Sequence, residues 1–302
     1  MIVTRGRTNQ AQRIVIYGPS GVGKSSVACG VSYPGTEPDP GVLAVDYESG
    51  LEQIGPARVF GPDKWEEALT MLGELSTSGE HSTLVVDTLD GIESAATAHV
   101  VARGKKGEKC LADFEFGTGP AALAAEWKRA LWELSKARAA GKTVILVAHV
   151  KRENVKDPVH GNYAKWVAAV DKNVWTLTHR WADSVLFADY TSAYDAKKSQ
   201  LMLTGDRVLR TVAGSGYDAK NRWGLTEEIH LTWEAVLGAM GKAPAAETPE
   251  TILDRIVRML PDMPAPSLPA IQSAVDEAGL NVGKLLKIEN RMKEKVNATS
   301  AR

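Results

Sequence analysis

Short, uninterrupted apolar runs alternate with amphipathic stretches along the first two thirds of the chain. The runs are Ile14-Val15-Ile16-Tyr17, Val42-Leu43-Ala44-Val45, Leu84-Val85-Val86 and Val144-Ile145-Leu146-Val147, with a weaker one at Val185-Leu186-Phe187-Ala188. Continuous apolar runs of this kind read as strands buried on both faces. Between them, Trp65, Ala68, Leu69, Leu72 and Leu75 follow a helical stripe, as do Leu123, Trp127, Ala130, Leu131 and Leu134, and Asp63 with Glu66 reads as a capping box opening the first of these helices. The alternation predicts an α/β fold with a mostly parallel central sheet flanked by helices. Two stretches follow neither period and read as long loops, residues 104–120 (GKKGEKCLADFEFGTGP) and about 150–180; loops of such length in a folded domain are usually functional or mobile.

The pattern changes at Gly241-Lys242-Ala243-Pro244-Ala245-Ala246. The chain therefore divides into a basic N-terminal arm (1–12, with Arg5 and Arg7), a core (13–240), a linker (241–247) and a small helical C-terminal domain (248–302). In the last, Thr248 reads as an N-cap with Pro249 at the first helical position, followed by Ile252, Leu253, Ile256, Val257 and Leu260 at helical spacing. Ser267 and Asn281 start two more helices, the final one carrying Leu285, Ile288, Met292 and Val296. An appendage of roughly 50 residues is too small to be comfortably stable alone and is expected to dock on the core or on a neighbouring subunit. Composition adds exclusions. With 302 residues, 44% of them hydrophobic, and 36 Lys and Arg against 37 Asp and Glu, the net charge of −1 excludes a disordered chain and a uniformly basic nucleic-acid coat, though not a local basic patch. Two cysteines, Cys29 and Cys110, fit a reducing compartment, and no His/Cys spacing suggests zinc. No apolar run reaches bilayer length and MIVTRGRTNQAQR lacks a signal-peptide core, so the expectation is a cytoplasmic protein (host cytoplasm if viral) with no membrane partner.

The chemistry begins at Gly18-Pro19-Ser20-Gly21-Val22-Gly23-Lys24-Ser25, which fits the phosphate-binding P-loop G-x-x-x-x-G-K-[ST] and is followed by Ser26. It lies directly after a strand run and opens a helical segment, as the motif requires. Glycines let the backbone curl so that successive N–H groups point at one anion. Residues 18–26 are therefore the candidate ATP-binding residues, with Lys24 on the β- and γ-phosphates and the Ser25 hydroxyl on Mg²⁺. Asp87, ending the Leu84–Val86 run, is the candidate Walker B acid behind the metal; a helix N-cap at Asp87-Thr88 is the plainer alternative. Val45-Asp46-Tyr47-Glu48 puts two carboxylates at the end of the second strand. Glu48 there can take a proton from, or orient, a water attacking the γ-phosphate, although taken alone it reads more readily as a solvated loop acid.

The run LAVDYESGLEQI resembles the segment of RecA-family recombinases in which a strand-end Glu polarises the attacking water. The following ARVFGPDKWEEALTMLGELSTSGEHSTLVVDT is similar to that family's short strand, helix and Walker B strand in order and length. The resemblance spans roughly residues 12–235 and implies a RecA-like P-loop NTPase core plus the small C-terminal helical appendage. It assigns Glu48 and Lys24 to catalysis. It makes His149, at the end of the fourth strand, a γ-phosphate sensor where most relatives carry Gln. Tyr217-Asp-Ala-Lys220-Asn-Arg222-Trp-Gly-Leu225 resembles the family's basic finger, implying that Lys220 and Arg222 reach the γ-phosphate of a neighbouring subunit; without the family they are two surface cations after a glycine turn. The whole pattern is also similar to phage-encoded, core-only RecA-like ATPases of single-strand annealing.

The two long loops fall where RecA-like proteins bind DNA. The first carries Lys105, Lys106, Lys109, Phe114 and Phe116, the second Lys151, Arg152, Lys156, His160, Tyr163, Lys165 and Trp166. Cations interleaved with aromatics suit sequence-tolerant single-strand binding; ordinary loop solvation, with the aromatics packed on the core, is the alternative. The resulting expectation is a DNA-stimulated ATPase of recombination or annealing, using ATP and Mg²⁺, binding single-stranded DNA, self-associating into a ring or filament and meeting a single-strand-binding protein. Its rivals are a recombinase-loading mediator, a helicase-type motor and a P-loop small-molecule kinase.

Overall fold

Four of the apolar runs and the weaker fifth form adjacent parallel strands, because a run apolar at every position buries both faces and leaves only its backbone to pair. The computed structural model describes residues 11–32, 36–157, 161–195 and 200–239, and, farther on, 253, 256–257, 259–263, 265–279, 288 and 291–292. Arg5, Arg7, the linker, Thr248-Pro249, Ile252, Asn281, Leu285 and Val296 lie outside the described residues. The chain divides into two units, Met1–Lys242 and Ala243–Arg302.

In the first unit, β1 (Arg13–Tyr17) leads through a glycine-rich loop into α1 (Lys24–Ala28). There follow β2 (Val42–Asp46), β3 (Ala57–Phe60), α2 (Trp65–Thr77), β4 (Thr83–Asp87), α3 (Leu89–Ala102), α4 (Thr118–Ala139) and β5 (Thr143–Ala148). Next come β6 (Val150–Asp157), β7 (Gly161–Ala168), α5 (Lys172–Trp181), β8 (Ser184–Asp195), β9 (Gln200–Arg210), β10 (Lys220–Asn221), β11 (Glu228–His230) and α6 (Trp233–Ala239). The central sheet has the order β11-β9-β8-β1-β5-β4-β2-β3, with β10 also on β8. From β8 to β3 every pairing is parallel, and β9, β10 and β11 add antiparallel strands. This is the mixed α/β, mostly parallel architecture of a P-loop NTPase core.

Alternate strand residues feed two cores. Val15, Tyr17, Val86, Leu146 and Phe187 pack under α2, α3, α4 and α5, while Ile14, Ile16, Val85, Val147 and Leu186 pack under the short α1 and α6. Three expectations change. Residues 150–180 are not a loop: β6 and β7 form an antiparallel hairpin off the main sheet and α5 follows. The hairpin carries charged and polar residues on both faces, so it shows no apolar alternation. Within 104–120, two 3-10 turns (Leu111–Asp113 and Glu115–Gly117) precede α4. Finally, α2 starts after Lys64 with no side-chain cap bond, because Asp63 lies one residue too early to serve as its N-cap.

In the second unit, α7 (Leu268–Ala278) begins at Ser267, and Ile256, Met263, Ile271 and Met292 form a buried cluster.

Trp127 of α4 is fully buried, and its indole N–H donates to Thr178 Oγ1 of α5 at 2.8 Å. Trp127→Ala is expected to lower the unfolding free energy by about 3–5 kcal/mol, read from the shift of a urea denaturation midpoint.

Candidate functional site

The parallel strands end level. Asp46 is in register with Asp87, Asp87 with Val147, and Tyr17 with Ala148. The residues that follow those strands therefore gather along one edge, the usual place for a ligand in an open α/β sheet.

The loop Gly18–Gly23 leaves β1 between β5 and β8. Gly18 cannot carry a side chain, since a Cβ there would lie 2.2 Å from the Ala188 carbonyl oxygen of β8. Gly23, the last residue before α1, has φ 103°, a left-handed conformation suited to glycine. Lys24 is almost wholly buried, and its Nζ donates to the carbonyls of Gly18 (2.9 Å) and Pro19 (2.8 Å). Burial lowers its pKa, opposed by the charges of Asp87, Asp90 and Glu48.

Asp87 is the strand-end acid of β4, and the neighbouring Thr88, rather than Asp87, caps α3 by accepting from Gly91 N–H at 3.2 Å. Asp87 faces the Ser25 hydroxyl, which favours its charged form, and its Oδ1 is buried with no partner. Burial, reinforced by the charges of Glu48 and Asp46, pushes its carboxyl up to about 6 despite Ser25 and Lys24. An oxygen left unpartnered in such a setting beside a hydroxyl is a fit for a hard divalent cation, with Ser25 and Asp87 as the residues that would hold it.

No acid follows Asp87, so the second carboxylate comes from β2. Asp46 is buried and organises the turn, accepting from Glu48 N–H and Leu51 N–H, both at 3.1 Å. That turn projects Glu48, whose Oε1 accepts from the Thr88 hydroxyl at 2.9 Å and lies 3.4 Å from His149 Nδ1. His149 in turn is held by Asp90 of α3: ring Nδ1 to Oδ2 at 2.9 Å and backbone N–H to Oδ1 at 3.2 Å. Sequence reading passed over Asp90, whose signal is its place in the first helical turn after β4. It also missed Tyr190 and Arg207, because Tyr190 lies beyond the apolar run of β8 and Arg207 lies in β9, beyond the short Leu201-Met202-Leu203 run. Tyr190 donates its hydroxyl to the Gly21 carbonyl at 3.1 Å, and Arg207 Nη1 lies 3.1 Å from where a Cβ on Gly23 would sit.

A family model described as an AAA domain matches residues 10–223. The chain belongs to the AAA domain family. That membership makes this an ATPase-type domain built for nucleotide hydrolysis and, with the loop and acids above, accounts for a nucleotide site, usually one that also uses Mg²⁺. A search among curated proteins finds no match.

The remaining expected site residues of this AAA domain are more dispersed. Lys220 is not a free cation: its Nζ donates to the carbonyls of His179 (2.8 Å), Arg180 (3.2 Å) and Ala182 (2.6 Å), closing the C-terminal end of α5. Arg222 is 54% exposed and bonds Asp183 Oδ1 at 3.0 Å. Asp183 also holds Arg13 at 3.0 Å and Arg138 at 3.5 Å, and against its burial these guanidinium partners, Arg13 first, keep its carboxyl below the usual range. The group sits where β1 and β8 begin, at the other end of the strands from the phosphate loop. Among the DNA candidates, Phe114 packs on the core, Lys106 pairs with Glu115 at 2.7 Å, Lys165 pairs with Asp218 at 2.5 Å and Lys151 donates to the Val170 carbonyl. Tyr163 is half-buried, on the same hairpin face as Lys165. Lys105, Lys109, Arg152 and Lys156 are exposed, Phe116 is 99% exposed, and the Arg152 guanidinium lies 4.6 Å from the centre of the Trp166 ring. His160 lies outside the described residues.

A charged donor with three carbonyl partners does structural work that a surface pair does not. Lys220→Met is expected to cost about 1.5–3 kcal/mol of stability and Arg222→Ala less than about 1 kcal/mol, compared by thermal or urea unfolding of the two variants.

Proposed function

We propose that this AAA domain is a RecA-like ATPase that hydrolyses ATP between subunits and uses the cycle to grip and release single-stranded DNA in recombination or annealing. The observation that carries this reading is the placement of Glu48. With Thr88 following the Walker B acid, the water-activating carboxylate comes from the end of β2, and it shares hydrogen-bond reach with Thr88 and His149.

In this reading Lys24 exchanges its loop carbonyls for the β- and γ-phosphate oxygens. Bound Mg²⁺ would neutralise phosphate charge beside Ser25 and Asp87. Glu48 accepts a proton from the attacking water as the new P–O bond forms and the bond to the ADP oxygen breaks, giving ADP and phosphate. Thr88 fixes the direction of the Glu48 carboxylate, and Asp90 fixes the His149 ring. Arg222 supports a role in trans: it is half-exposed, remote in the sheet from its own phosphate loop, and Arg13 and Arg138 would still neutralise Asp183 if it swung away. A cation supplied by a neighbour makes turnover depend on assembly.

The DNA part rests on the β6–β7 hairpin, which starts one residue after the strand that ends at the site. Period-two alternation puts Arg152, Asn154 and Lys156 on one face with Trp166, Ala164 and Asn162. That face offers phosphate-pairing cations and a ring–guanidinium platform for bases, with Phe116 and Lys105 on the other segment.

ATP hydrolysis measured with and without single-stranded DNA tests the reading. Stimulation by DNA is expected, with Lys24→Ala losing nucleotide binding and Glu48→Gln retaining it while turnover falls by about 10²- to 10⁴-fold. Full biological function in Glu48→Gln would instead favour a non-hydrolysing loader. Absence of both stimulation and salt-sensitive DNA binding would remove DNA from the proposal.

A further inference from the structure

The two ends of the β6–β7 hairpin are held by one helix. At the entry, Asp90 of α3 grips His149 through ring and backbone. At the exit, Glu93, three residues on and so on the same side of α3, accepts the backbone N–H of Asp171 through Oε1 at 2.7 Å. Between these grips the ends are tied to each other, Ala169 N–H donating to the His149 carbonyl at 2.9 Å. Asp171 in turn caps α5 through Asn173 N–H at 2.8 Å, so the exit is a fixed joint. The helix making both grips starts at Thr88, the residue that bonds Glu48 and follows Asp87.

We infer that Glu93 is a positioning residue which fastens the exit of the hairpin to α3, so that a movement of α3 at the nucleotide site turns the hairpin as a unit. The inference rests on reading this edge as the nucleotide site, and it adds a route through α3 to the covalent path through His149. The need is for an acceptor on Asp171 N–H rather than for a charge. Burial pushes the Glu93 carboxyl up to about 7; the Asp171 N–H bond and Lys151 oppose this, while Asp171 and Asp90 add to the rise. The bond therefore has to survive protonation, and a neutral carboxyl or amide keeps a carbonyl oxygen that can accept it.

Amide hydrogen exchange of the full chain over residues 150–168, with and without Mg²⁺ and a slowly hydrolysed ATP analogue and with no DNA present, tests this. In the wild type, nucleotide is expected to slow exchange in the hairpin. Glu93→Asp keeps the charge and polarity but is one methylene too short; with Glu93→Ala, it should cut that nucleotide-dependent change about fivefold or more, with basal ATPase within about twofold of wild type. Glu93→Gln should match the wild type. A hairpin blind to nucleotide in the wild type, an undiminished response in Glu93→Asp, or a Gln variant as defective as Ala would each overturn the inference. Loss of DNA binding alone, with the exchange response intact, would count against the DNA proposal and leave this coupling standing.

Discussion

Register between parallel strands is the constraint on which the rest of this structure depends. Asp46, Asp87 and Val147 lie in one row, and Tyr17 is level with Ala148 in the next. A slip of one residue in β4 would turn Asp87 to the opposite face of the sheet, away from Ser25, and exchange Val85 and Val86 between the two cores. The same apolar contacts that stabilise the domain thus hold the acids within reach of the phosphate loop. The site needs no separate scaffold: Thr88, Asp90 and His149 are the first residues after, or within one turn of, strands that the core already fixes.

The legible parts of the sequence were those in which burial and chemistry coincide. Strands apolar at every position were plain, and so were the glycine loop and Asp87 at the end of one such strand; Glu48 and His149 stood out only through the resemblance to RecA-family segments. The hairpin was illegible for the converse reason: its strands carry charged and polar residues on both faces and enter the core only near the root, at Val167 and Ala168, so no apolar period marks them and only their pairing reveals them. The continuation of β8 and the whole of β9 also went unmarked, and with them Tyr190 and Arg207. Asp90, Glu93 and Asp183 were hidden differently. Their importance lies in partners distant in sequence, Asp90 with His149 and Asp183 with three arginines, and no local pattern marks such a meeting.

Charge counting also misleads at the level of single lysines. Lys24, Lys142, Lys151 and Lys220 all donate to backbone carbonyls of this chain. At the ends of α2 and α5, Lys142 and Lys220 satisfy carbonyls that a helix terminus leaves without an internal partner. These ammonium groups stabilise the fold and add little to an outward basic surface. The cations that remain outward on the hairpin and at Asp183 are chiefly arginines, whose planar fork can keep one partner while engaging another.

The hairpin has a mechanical property that follows from its length. Strand β6 contains eight residues, and at about 3.3 Å per residue its far end stands roughly 26 Å from the root. Ala169 N–H bonds the His149 carbonyl across the root, and Trp166 N–H donates to the Gly216 carbonyl at 2.7 Å, so the length free to swing is that beyond the Arg152–Trp166 pair, roughly 16 Å. A tilt of roughly 10° about that point displaces the far end by about 3 Å, close to the rise of one strand residue. Under the inferred coupling, a change at the sheet edge too small to disturb the packed core would emerge at the far end of the hairpin as a displacement of about one residue's length.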